Sequence, residues 1–215
     1  MERKMYDKFK SYYFKDKDVE SISDDFVDII VESNEVFVKY FKEGKTRLQV
    51  AEELETHNNI VGSIMSSNVE KVAVLYEIFE RTNRDLNLLH SLLNVKSLDK
   101  YKEDIIGLHA KGVENPLMYA RFTKYYFPKL TGKLGRASNN YLGYIDEIVT
   151  RKRVLWKYFQ EGKSSKEIAE EMDLEEYSVK DKIYRAKSFV VNNYERYLNA
   201  VGARNNKQNV KNTKK

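Results

Sequence analysis

The chain has 215 residues, of which 38 are Lys or Arg and 33 are Asp or Glu, so its formal net charge is +5. It contains no cysteine, which excludes disulfides and cysteine-ligated zinc, and it has no apolar run of the roughly 18 residues that a membrane span needs. Two prolines and nine glycines among many Lys, Glu, Leu and Tyr residues predict an all-α protein. We expect it to be cytoplasmic, because the N-terminus lacks a secretory signal.

The first predicted element is an aromatic helix at residues 6–14. Tyr6, Phe9 and Tyr13 recur at helical spacing, which favours packing within the module over stacking on unpaired bases. A second apolar segment, 26–41, ends before Gly44. Thr46 and Gln49 then have capping-box spacing at the start of a short helix.

A third helix is predicted to start near Asn58, which completes a helix-turn-helix arrangement. Its exposed face offers Asn58, Asn59 and Ser63 but no positive charge. Asparagine can bind adenine by a paired hydrogen bond. A degenerate copy retained for dimerisation explains this face equally well, and both interpretations stay open.

Residues 82–117 are predicted to form a connector of two helices. Leu88, Leu89 and Leu92 form a helical stripe, and Ile105 and Leu108 continue the same periodicity. We expect these helices to pack between or under the flanking modules.

The rest of the chain is similar to its beginning, which predicts an internal duplication. Six of the ten residues in 5–14 recur in 118–127, at an offset of 113. At an offset of 118, 17 of the 56 residues in 26–81 recur in 144–199. The predicted domains are therefore a first module (1–81), a helical connector (82–117) and a second module (118–202).

The change of offset places five extra residues near 129–136 in the second module. This segment contains Lys129, Lys133 and Arg136, together with two glycines. It lacks the glycine spacing of a nucleotide-binding loop. We expect a flexible loop that clamps backbone phosphates.

The second module repeats the helix-turn-helix pattern. A long helix, or two with a break near Arg151, should end at Gly162 in a left-handed cap. Ser164 and Glu167 form the next capping box, and a third helix is predicted from about Glu175 to Tyr194. Residues 163–172 and 177–187 resemble the helix-turn-helix of the sigma-factor C-terminal promoter-reading domain and of LuxR-type regulators. That resemblance implies a third helix in the DNA major groove and RNA polymerase as the usual partner.

The predicted DNA contacts of the second module lie on its third helix, because Lys, Arg and Ser side chains can reach bases or phosphates. They are Tyr177, Ser178, Lys180, Asp181, Lys182, Tyr184 and Arg185. The alternative is a solvated face with i,i+4 ion pairs, Glu176–Lys180 and Asp181–Arg185.

Charge separates the two halves. Residues 1–100 hold 15 basic and 19 acidic side chains, whereas 101–215 hold 23 and 14. The basic half ends in a segment, 203–215, with five basic and no acidic residues, which we expect to be disordered. Such asymmetry indicates a nucleic acid or a second, differently charged partner.

No catalytic motif, metal-ligand spacing or cofactor fingerprint is present, and His57, His90 and His109 are isolated. We therefore expect a non-enzymatic, sequence-specific regulator that binds double-stranded DNA, as a monomer or homodimer, without cofactor, metal or membrane. Its acidic first module would contact another protein, with RNA polymerase as the candidate. The alternatives are a protein-interaction or assembly adaptor, and a DNA-binding component of plasmid or phage replication, segregation or packaging.

Overall fold

The structure is a computed structural model that describes residues 2–15 and 21–212, with side chains through residue 194. Every regular element in these residues is helical, so the predicted all-α class is confirmed. None of these helices is long and apolar enough to cross a membrane. The chain divides into two compact units, Met1–Lys102 and Glu103–Lys215.

Unit one is built around buried aromatic rings, with Phe9, Phe26 and Phe41 at 2% exposure or less. Its helices are α1 (Glu2–Tyr13), α2 (Asp24–Glu32), α3 (Glu35–Phe37, continued by the π-helical turn Val38–Lys42), α4 (Arg47–Glu53), α5 (Asn58–Ser67), α6 (Val69–Arg81), α7 (Leu86–Leu92) and the 3-10 turn Leu98–Tyr101.

Unit two has a similar aromatic core, in which Phe122 and Phe159 are fully buried. Its helices are α8 (Lys102–His109), α9 (Pro116–Tyr126), the 3-10 turns Pro128–Leu130 and Leu134–Arg136, α10 (Asn139–Arg151), α11 (Arg153–Leu155, continued by the π-helical turn Trp156–Gln160), α12 (Ser165–Met172) and α13 (Glu176–Asn212).

The two helices expected between residues 82 and 117 are present as α7 and α8. They do not form a shared connector, however, because α7 belongs to unit one and all but the first residue of α8 belongs to unit two. Leu88, Leu89 and Leu92 are buried on α7, which packs against α6. Asp104 on α8 instead binds the loop at 132–134.

Several contacts recur in both units at the sequence offsets of the predicted repeat. The Tyr13 hydroxyl donates to the Met65 carbonyl oxygen at 3.3 Å, and Tyr126 donates to Ile183 at 3.0 Å. The ring centroids of Phe9 and Phe41 are 5.1 Å apart, and those of Phe122 and Phe159 are 5.2 Å apart. Such paired contacts are what a duplicated module is expected to keep.

A π-helical turn, which the periodicity did not predict, precedes the short helix in each unit. After each turn comes a left-handed glycine, Gly44 (φ +73°) or Gly162 (φ +72°), as expected. The turns bring lysines against the short helix: Lys39 and Lys45 pair with Glu53, whereas Lys157 and Lys163 pair with Glu171. These two glutamates are therefore each paired with two lysines.

The third helix differs between the units. In unit one, the Asn68 side chain donates to the Ile64 carbonyl oxygen at 2.7 Å, and the helix is interrupted there between α5 and α6. In unit two, α13 runs without interruption to Asn212. Residues 203–212, which we expected to be disordered, are part of this helix. Extending an existing helix costs far less free energy than nucleating a new one, which explains why α13 continues into this segment. Residues 213–215 lie outside the described residues.

Candidate nucleic-acid interface

Local capping interactions define the start of the short helix in unit two. The Ser164 hydroxyl accepts a hydrogen bond from the Glu167 N–H at 3.3 Å, and the Glu167 carboxylate accepts from the Ser164 N–H at 2.7 Å. The predicted capping box is therefore confirmed. The Ser164 hydroxyl also donates to the Glu167 carboxylate at 2.6 Å, and this bond, together with that from the Ser164 N–H, holds the pKa of Glu167 below its usual value.

The buried face of α13 anchors it across α12. Val179, Ile183 and Val190 are at most 2% exposed, and Ile168 on α12 is fully buried. Asp173 makes the turn between the helices with a left-handed backbone, at φ +52°. The opposite side of α13 is therefore left to solvent within unit two.

The predicted contact residues surround this exposed side. Tyr177 and Tyr184 are 79% and 67% exposed and lie opposite the buried face. Successive residues on a helix are about 100° apart, so Lys180 and Lys182 lie about 200° apart, at the two edges of the exposed side. Both lysines are exposed. Positive charge therefore lies at both edges of the exposed side, and Asp181 and Arg185 lie between Lys182 and the tyrosines.

The two i,i+4 ion pairs that the alternative interpretation of this helix predicted are also present. Lys180 Nζ lies 2.6 Å from Glu176 Oε1, and Arg185 Nε lies 2.8 Å from Asp181 Oδ1. Exposed i,i+4 pairs stabilise a helix by only about 0.3–0.5 kcal/mol. Breaking these ion pairs so that Lys180 and Arg185 can bind phosphate instead therefore costs little free energy. Lys182 has no acidic partner among the described side chains.

A basic groove, which sequence reasoning missed, borders the Lys182 flank. Its charged and aromatic lining consists of Lys152 and Arg153 at the start of α11 and of Asp181, Lys182, Arg185 and Phe189 on α13, so four cations face one acid. Lys152 Nζ lies 5.2 Å from the centre of the Phe189 ring, which is 44% exposed. The three consecutive basic residues at 151–153 could have indicated this groove. We interpreted the segment only as a break between two helices, and the structure confirms that break.

The structure does not gather all the predicted phosphate contacts into one cluster. Lys133 and Arg136 line a pocket beside Tyr141 and Tyr194. Tyr194 is nine residues along α13 from Arg185, which corresponds to about 14 Å along the helix axis. Lys129, Lys133 and Arg136 are exposed, so they form a second basic site on the same unit.

The first-module candidates, Asn58, Asn59 and Ser63, are exposed at the start of α5 in unit one. Two exposed apolar side chains stand near them in sequence, Leu48 (59%) and Ile60 (46%). The equivalent residues of unit two, 118 positions later, are Lys166 and Ser178. This face of unit one therefore combines polar and apolar side chains with the Arg47 guanidinium, one nitrogen of which would lie 3.7 Å from a Cβ atom placed on Gly62.

The described residues include no cluster of three or more His, Asp or Glu side chains that could hold a metal ion. Compared with known proteins, the chain matches no protein-family model, no curated protein and no solved structure at a significant level.

Proposed function

We propose that the chain is a sequence-specific regulator that binds double-stranded DNA through unit two. The observation that carries the proposal is the exposed side of α13, where Lys180 and Lys182 lie at the two edges and Tyr177, Tyr184 and Arg185 lie between them. A helix in the major groove has a phosphate backbone on each side. Cations on both flanks suit that environment.

The basic groove extends the proposed interface. Lys152 and Arg153 lie beside Lys182, so phosphate contacts would continue from α13 onto the start of α11. We assign Lys152, Arg153, Lys180 and Lys182 to phosphates, and Tyr177, Tyr184 and Arg185 to the groove floor. Phosphate contacts supply affinity, whereas contacts with base edges supply specificity.

The test is selection of bound sites from a random duplex pool, followed by affinity measurements on the selected site. We expect the triple substitution Lys180→Ala, Lys182→Ala and Arg185→Ala to reduce affinity at least tenfold, since it removes charge from both flanks (about 1–3 kcal/mol for each base-binding side chain). The matched control, Arg3→Ala, Lys4→Ala and Lys96→Ala, removes the same charge from exposed residues of unit one and should have little effect. Equal losses in both variants would mean that binding depends on net charge alone.

A second candidate function, a protein-interaction adaptor, is favoured by Leu48 and Ile60 on unit one. A contiguous exposed apolar patch rimmed by polar residues marks a protein-interaction site, and we take Leu48 and Ile60 as parts of one such patch. In this arrangement, unit two would bind DNA and unit one would bind a protein. Our candidate for that protein is RNA polymerase. The contacts that recur at the repeat offsets support a duplication followed by divergence in surface charge.

A further inference from the structure

A buried carboxylate lies beneath the basic loop formed by residues 128–136. Asp104, on α8, is only 1% exposed. Its Oδ2 accepts a hydrogen bond from the Gly132 N–H at 2.8 Å, and its Oδ1 accepts from the Leu134 N–H at 2.9 Å. No Lys or Arg among the described side chains forms a salt bridge with it. Burying a carboxylate is costly, and here both of its oxygens bind the loop.

The same helix contacts the loop backbone directly. A Cβ atom placed on Gly107 would lie 2.6 Å from the Gly135 Cα atom, so neither helix nor loop has room for a side chain there. Lys111 Nζ donates to the Ala137 carbonyl oxygen at 2.5 Å, just after the loop. The loop, which we expected to be flexible, is therefore held at three points and contains two 3-10 turns.

The two amides bound by Asp104 are those on either side of Lys133. Their hydrogen bonds fix the backbone from which that side chain extends, while Lys129 and Arg136 project from the adjoining turns. All three cations are exposed and have no acidic partner among the described residues. Cations held in place before binding lose less conformational entropy when they meet a phosphate.

We propose that Asp104 is a positioning residue, which holds the basic loop in a preorganised shape for binding the DNA backbone and does not itself touch DNA. This inference rests on the proposed function of unit two. It assigns a purpose to α8: the helix acts as the platform of the phosphate-binding loop.

The first arm of the test needs no DNA. In Asp104→Asn, the side-chain amide keeps one acceptor and loses the other, so hydrogen exchange should accelerate at either the Gly132 or the Leu134 amide. In Asp104→Ala, exchange should accelerate at both. Retained far-ultraviolet circular dichroism would show that Asp104→Asn is folded. Unchanged exchange at both amides in both variants would overturn the inference.

The second arm is a double-mutant cycle on duplex DNA. Asp104→Asn should lower affinity about threefold or more in the unmodified chain, because the loop cations must then be ordered on binding. It should have no further effect once Lys129, Lys133 and Arg136 are all alanine. An equal loss in both backgrounds would show that Asp104 acts through general stability, which would overturn the positioning role.

The two proposals fail differently. If the unmodified chain does not bind duplex DNA at low salt, the proposed function is overturned, and so is the phosphate-binding purpose of the loop. The exchange arm would still decide whether Asp104 fixes the loop.

Discussion

The Tyr126 hydroxyl donates a hydrogen bond to the backbone carbonyl oxygen of Ile183, with the two oxygens 3.0 Å apart in the core of unit two. This bond joins α9, the aromatic helix, to the buried face of α13, about two turns from the start of that helix. Burial raises the pKa of the Tyr126 hydroxyl above its usual value, so the group remains a donor across the physiological range.

We expect Tyr126→Phe to lower the free energy of unfolding by about 1 kcal/mol, because a buried hydrogen bond is lost while the ring is retained. Urea denaturation followed by circular dichroism measures this. Tyr125→Phe is the control, since Tyr125 is 38% exposed, and it should change stability little. A similar loss for both variants would contradict the role assigned to the hydroxyl.

The turn after the short helix predicts a stabilising substitution in each unit. Asp173 (φ +52°) and its counterpart Glu55 (φ +49°) both have left-handed backbones, a conformation that glycine adopts without steric cost. Asp173→Gly and Glu55→Gly should each raise the free energy of unfolding by about 0.5–1 kcal/mol.

The control for these variants is Glu170→Gly, in the interior of α12, which should lower stability by about 1 kcal/mol. Destabilisation by Asp173→Gly as large as that of the control would mean that the aspartate makes a compensating contact. Thermal unfolding of the three variants in parallel would distinguish these outcomes.

The pairing of Glu171 with two lysines makes the stability of the protein depend on pH in the acid range. Hydrogen bonds from Lys157 and Lys163 lower the pKa of Glu171 to about 2, whereas an unfolded glutamate titrates near 4.3, roughly. Because the folded pKa is the lower one, the carboxylate stabilises the protein above about pH 4.3, and this contribution is lost as the pH falls toward 2.

Glu171→Gln should therefore be less stable than the unmodified chain near neutral pH, and the difference should shrink below about pH 4. Urea unfolding at several pH values measures it. Glu170→Gln is the control, since the Glu170 carboxylate lies 3.9 Å from Lys166 Nζ and pairs with no second lysine among the described side chains. A difference for Glu171→Gln that stays constant with pH would contradict the pairing.

Much of the fold could be predicted because its signals are local. The capping box of Ser164 and Glu167 spans three residues, and the left-handed Gly162 follows directly from the end of a periodic segment. Helical spacing also placed Phe9 and Tyr13 inside the first module, and both side chains are buried.

The features that were missed depend on tertiary contacts. Asp104 binds amides 28 and 30 residues away, and hydrophobic periodicity carries no information about such a contact. Lys152 contributes to the basic groove because the fold brings it beside Phe189, which is 37 residues away in the sequence. The division of residues 82–117 between two units likewise depends on which core each apolar face meets.

The central claim, that unit two binds duplex DNA through phosphate contacts, is tested most directly by measuring the affinity of the unmodified chain between about 50 and 200 mM salt. Each phosphate contact contributes about −0.9 to the slope of log affinity against log salt concentration. The three loop cations and the four cations assigned to phosphates, Lys152, Arg153, Lys180 and Lys182, predict a slope of about −6, which becomes shallower by about 3 when the loop cations are replaced by alanine. A slope near zero, or no binding at the lowest salt, would contradict the claim.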